Sequence, residues 1–141
     1  MDKDGIQTNS AKLFSNKTKA TVLLFWITTC GPCRMELKAI SGKYEQWKKQ
    51  LNFDFYAIST DFSDRQSDFQ TRVNESNWQF PAYMDINREF RLLMDGGLNG
   101  LPQLFVVNNK GEVLYHTRKY RPGDEDALFN LIGSNSPPLA A

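Results

Sequence analysis

The stretch ATVLLFWITTCGPCRMEL, Ala20 to Leu37, holds both cysteines of a 141-residue chain, and its residue pattern changes midway. Ala20 to Trp26 form an almost continuous apolar run of strand length. Such a run lacks alternation and so expects cover on both faces, as a central strand of an α/β sheet has. Gly31 and Pro32 then signal a turn and a helix start. From Cys33 onward Met35, Leu37, Ile40, Tyr44, Trp47 and Leu51 recur at steps of three and four, which predicts a helix to about Gln50, with Gly42 as its weakest point.

The rest of the chain extends this pattern. The first 17 residues or so are polar, with Ile6, Leu13 and Phe14 as anchors for an irregular lead-in or short edge hairpin. Phe53–Thr60 reads as a second strand. A second helix follows, with Ser63 or Asp64 as its N-cap and Phe69 and Val73 on its inner face. Pro81 forbids helix at Phe80, so the segment around it is extended. Residues 86–97 carry Ile86, Phe90, Leu93 and Met94 on one helical face, ending at Gly96 or Gly97. Leu104–Val107 and Val113–Tyr115 flank NNKG as a hairpin, with Gly111 available for positive φ. A last helix places Leu128, Leu131 and Ile132 inward, with Gly133 as its stop. The order β-α-β-α-(α)-β-β-α predicts a mixed central sheet with helices on both faces, its first half a right-handed parallel crossover. One domain accounts for 1–141, with its core at about 11–133 and a frayed tail at 134–141.

Composition excludes several function classes. Seventeen Lys and Arg stand against 16 Asp and Glu, for a net charge of +1, so nothing recommends a nucleic-acid partner. The longest apolar run is too short to span a bilayer, and the N-terminus lacks the apolar core of a signal peptide. The expected setting is therefore cytoplasmic, or extracytoplasmic with a leader missing from the sequence. Two cysteines do not make a disulfide scaffold.

Three roles compete for the cysteine pair. Structural zinc needs four ligands, and the chain offers two Cys and one His. A staple across two intervening residues closes too short a loop to restrict the unfolded chain much. Redox chemistry fits each local feature. The strand delivers Cys30 to the rim of the sheet, and the following helix aims its N-terminus at that sulfur, favouring thiolate. Cys33, one turn on, sits behind it. Cys30 is then the attacking nucleophile and Cys33 the resolving thiol, joined as the redox-active disulfide in the oxidised form.

FWITTCGPCR resembles the thioredoxin superfamily, whose hallmark is a tryptophan-bearing strand running into Cys-Gly-Pro-Cys. GLNGLPQLFVV is similar to the same family's loop before its third strand. The resemblance implies a thioredoxin-like fold, a cis peptide at Pro102 and a Leu101 backbone that pairs with a bound substrate chain. It also implies substrate contacts at Trp26, Gly31 and Pro32. Within the superfamily the chain resembles the TlpA/ResA-type thiol–disulfide oxidoreductases. Glu36 matches their CxxC-R/K-x-E pattern, and Asp61 to Gly100 leaves room for their extra element between strands two and three. The departures are from thioredoxin itself: Leu24 stands where thioredoxin buries an aspartate, and Thr29 where it has a tryptophan. Proton transfer for Cys33 then falls to water or to Glu36, unless Glu36 merely complements the helix dipole.

The expected function is thus a thiol–disulfide oxidoreductase, most simply a reductant of protein disulfides, because the Gly-Pro pair resembles thioredoxin-type reductants. Its partners are protein thiols or disulfides and an upstream reductant, with no cofactor or metal, and it works as a monomer. The resemblance favours a periplasmic or membrane-anchored extracytoplasmic location. Two alternatives stand. One is a peroxiredoxin-like peroxidase using Thr28, Thr29 and Arg34, for which the CxxC spacing is wrong. The other is a non-catalytic binding or metallochaperone module. Asp61 is read as a helix cap and His116 as a strand-end residue without chemistry.

Overall fold

The computed structural model describes residues 1–9, 19–90, 94–108 and 110–135. Five strands form one sheet in the order β3-β2-β1-β4-β5: β1 Ala20–Trp26, β2 Phe53–Ser59, β3 Ala82–Met84, β4 Gln103–Val107 and β5 Val113–Thr117. Three α-helices are described: α1 Gly31–Gln50, α2 Gln66–Ser76 and α3 Asp124–Asn135. β1 is central and buried along its whole length, as its unbroken apolar run requires.

The steps β1-α1-β2 and β2-α2-β3 both link parallel strands and both move the same way across the sheet. Right-handed crossovers taken twice in one direction put both helices on one face. Accordingly Leu37, Ile40, Tyr44 and Trp47 of α1, Phe69 and Val73 of α2, and Leu128 and Ile132 of α3 share one buried cluster with Val22, Leu24 and Trp26 of β1. The opposite face carries Leu23, Phe25, Ile58, Phe105 and Val107, covered by Phe90, Met94 and Leu98. Of the helix expected over 86–97, residues 91–93 lie outside the described residues. Asp95–Leu98 form a 3-10 turn. The extra element between the second and third expected strands, expected at 78–90, contains the edge strand β3.

Several local expectations change. No side chain caps α2: a 3-10 turn at Ser63–Arg65 leads straight into it, so neither Ser63 nor Asp64 is its N-cap. Gly133 does not stop α3, which runs on to Asn135. A Cβ there would lie 3.4 Å from Leu51 Cδ2, at the edge of ordinary van der Waals contact. Met35 is 56% exposed, and Glu36 takes the inward position beside Leu37. Ile6 is 63% exposed and anchors nothing, whereas Asp2 bridges to Tyr83 on the β3 edge. Leu13 and Phe14 lie outside the described residues, as does the tail beyond Asn135. Gly111 adopts φ 83° in the β4–β5 turn, where Asn108 Oδ1 accepts from the Lys110 and Glu112 amides, both at 2.9 Å.

Candidate active site

The pairing register brings the site together. β1 and β2 are parallel and end level, with Trp26 opposite Ser59. The residues just beyond them therefore meet, and Asp61 reaches Thr28. Its Oδ2 accepts from the Thr28 backbone N–H at 3.0 Å and from Ser59 Oγ, while its Oδ1 accepts from Thr28 Oγ1 at 3.0 Å. Asp61 is thus a clamp on the segment leading to Cys30, not a helix cap. β4 runs antiparallel to β1, with Gln103 opposite Phe25, so the chain entering β4 passes the same edge. That delivers Leu101 and Pro102 to Cys30, and their peptide bond is cis, as the resemblance implies.

Cys30 occupies the N-cap of α1 and forms a disulfide with Cys33, with their Cα atoms 5.3 Å apart. Cys30 Sγ accepts from the Cys33 backbone N–H at 3.2 Å and lies 3.9 Å from the Leu101 carbonyl oxygen. Cys30 is half-buried, Cys33 fully buried, and Pro32 exposed beside them. Pro32 has no N–H, so it removes no donor from the first helical turn. Trp26 is completely buried against Phe69 and Trp78. Its side chain belongs to the core beneath the site. Gly31 is half-buried at the rim.

Glu36 is buried one helical turn beyond Cys33 on the same face of α1, a spacing that makes the two side chains neighbours. It lies past the first turn of the helix, so complementing the dipole does not explain it. Burial raises its pKa to about 8, helped by Asp124 and Glu125 at the start of α3. Glu125 itself accepts a hydrogen bond from Tyr120 at 2.7 Å.

Sequence reasoning missed Gln103. Fully buried at the start of β4, its Nε2 donates to the Asn99 and Gly100 carbonyls at 2.9 and 2.8 Å. Its Oε1 lies 2.9 Å from His116 Nε2, and the His116 ring stacks on Phe105 at 3.9 Å. His116 therefore helps to hold the loop before Leu101. The available signal is a glutamine at the head of an otherwise apolar strand, with the only histidine diagonal to it across a hairpin.

A mixed sheet with a dithiol at the N-terminus of its first crossover helix and a cis-proline opposite defines a thioredoxin-like redox fold. The AhpC/TSA family model matches residues 1–116, and the chain belongs to that family. It is 32% identical to human nucleoredoxin over 101 residues, which is 69% of this chain and 22% of that protein. It is 26% identical to the thiol-disulfide oxidoreductase ResA of Bacillus anthracis over 98 residues, 70% of this chain and 54% of ResA. The chain thus spans about a fifth of the one relative and about half of the other. Among solved structures, a thiol:disulfide interchange protein of the thioredoxin family from Chlorobium tepidum superposes with a TM-score of 0.72 at 26% identity, over 94% of this chain and 90% of that one. These likenesses and the Cys30–Cys33 pair support redox enzyme activity of the thiol–disulfide oxidoreductase kind. No helix among the described residues is long and apolar enough to cross a membrane.

Proposed function

We propose that the protein reduces protein disulfides, with Cys30 as nucleophile and Cys33 as resolving thiol. The observation that carries this is the asymmetry of the pair: Cys30 is reachable at the helix N-terminus, and Cys33 is enclosed behind it. The Cys30 thiolate attacks one substrate sulfur, forming a mixed disulfide, and the other substrate sulfur leaves as thiolate. Cys33 then attacks the Cys30 sulfur, forming the intramolecular disulfide and freeing the second substrate thiol. Two electrons pass to the substrate, and an external dithiol restores the pair. The first-turn N–H groups of α1 favour the Cys30 thiolate. Glu36, one turn beyond Cys33 and with its pKa raised by burial to about 8, accepts the Cys33 proton in its carboxylate form and returns it as the neutral acid. Leu101 offers its backbone to the bound chain, and Pro32 and Gly31 border it. The resemblance to TlpA/ResA-type proteins supports work outside the cytoplasm, periplasmic or membrane-anchored.

Of the residues named for a peroxidase, Thr28 has its hydroxyl engaged by Asp61, and the two-residue spacing of the cysteines favours the reductase. Insulin reduction with dithiothreitol tests the proposal. Wild type should accelerate turbidity, Cys30→Ser should match the uncatalysed rate, and Cys33→Ser should accumulate mixed disulfides. Equal rates for wild type and Cys30→Ser would leave only a binding module. A reduction potential of about −120 mV, where strong oxidants lie, would refute the reductant assignment.

A further inference from the structure

Beside Cys30 the surface opens into a groove of about 440 Å³, with Cys30 and Leu101 at one part of its lining and Phe62, Arg65 and Arg88 at another. Phe62 is 65% exposed, an unusual place for a phenyl ring next to a reactive sulfur. The Arg88 guanidinium lies 3.8 Å from the centre of that ring, and one of its N–H groups donates to the Thr60 carbonyl at 3.3 Å. Stacking and that single bond fix the plane of the fork, and the remaining donors have no carboxylate partner among the described residues. The backbone at Arg88 is left-handed, φ 55°, a conformation that non-glycine residues rarely adopt. Arg65 adds a second guanidinium, exposed and, among the described residues, paired only with the exposed Asp68 at 3.3 Å. The one acid lining the groove among the described residues, Asp61, is already engaged by Thr28 and Ser59. A chain of net charge +1 thus has its cationic, aromatic-backed groove next to its redox sulfur.

We propose that Arg88, mounted on Phe62 with Arg65 beside it, selects oxidised polypeptides that carry an acidic residue next to the attacked cysteine. This rests on the disulfide-reductase assignment above and names its substrate class. A carboxylate suits a fixed guanidinium, which can meet both oxygens at once, and the phenyl platform accepts the apolar stem of Glu. Thiol–disulfide exchange needs the substrate sulfur held in line with Cys30, so an anchor along the groove acts on kcat/KM.

Three synthetic peptides with one intramolecular disulfide test it, differing only in whether both residues flanking the first cysteine are Glu, Gln or Lys. Reduction is followed by chromatography with dithiothreitol as the regenerating dithiol. An exposed charge pair supports a preference of about fivefold in kcat/KM for Glu over Gln, with Lys below both. That ratio should fall toward one in Arg88→Gln and in 0.5 M NaCl, and be partly retained in Arg88→Lys. Equal rates for the three peptides would overturn the inference, as would a Glu preference unchanged in both Arg88→Gln and Arg65→Gln. Oxidised glutathione turned over as well as the Glu peptide would overturn the polypeptide assignment. Anisotropy of dye-labelled peptides with Ser in place of both Cys separates the two layers. Glu-selective binding without turnover of any peptide would refute the reductase and keep the groove, whereas turnover without selectivity would refute the groove alone.

Discussion

Replacing Glu36 by Gln removes one titration and almost no volume, and the structure fixes the sign of the result. In the unfolded chain Glu36 holds its proton only below about pH 4.5, and in the folded protein it holds it up to about 8. Between those values the native state binds more protons than the unfolded state, so wild-type stability falls as pH rises. The slope is about 1.4 kcal/mol per pH unit, or roughly 2.7 kcal/mol between pH 5 and pH 7. The Glu36→Gln variant has no such slope. The gap between variant and wild type should therefore move in favour of the variant across this window and level off above pH 8. Any fixed cost of placing an amide in this site shifts both ends equally and leaves the slope intact. Urea denaturation of the oxidised proteins, followed by tryptophan fluorescence at pH 5, 6, 7 and 8, measures it without interference from free thiols. Burial leads the shift, and Asp124 and Glu125 are secondary, so most of the slope should survive 0.5 M NaCl. Stability profiles for wild type and variant that run parallel from pH 5 to pH 8 would refute the argument.

The clamp at the end of β2 and the anchor at the head of β4 make separate predictions. Asp61→Ala leaves the buried Thr28 N–H and hydroxyl without their acceptor. It should cost about 3 kcal/mol in denaturant midpoints and slow insulin reduction, with Asp61→Asn intermediate in both. Gln103→Leu frees the carbonyls of Asn99 and Gly100 beside the cis-proline loop. A loss of about 1–3 kcal/mol is expected, together with a KM for peptide disulfides that rises more than kcat falls. Leu37→Ala, in the middle of the buried face of α1, should destabilise by about 2–5 kcal/mol in the same denaturation assay.

The features legible in the sequence are those whose cause is local. An unbroken apolar run predicts β1, Gly31-Pro32 marks the start of α1, and the stripe from Leu37 to Trp47 gives that helix its buried face. Glu36 is half legible, because a helix that buries positions 33, 37, 40 and 44 also buries 36. Counting Met35 on the stripe hides this. Phe62 carries no helical or strand period, so its place under Arg88 cannot be read from pattern. The clamp and the anchor are of another kind, because each joins distant residues that only the register makes adjacent. Asp61 is a strand-end acid until parallel β1 and β2 are known to finish level. Gln103 is a polar residue in an apolar strand until the antiparallel hairpin sets His116 against it. Both pairs converge on the edge where β1 and β2 end and β4 begins. The cysteine motif points to the proposed reaction within four residues, but the groove and the supports that aim Cys30 come from five separate stretches. Specificity in such a site therefore belongs to the register and loops, and substitutions outside the motif should alter substrate choice without changing the chemistry.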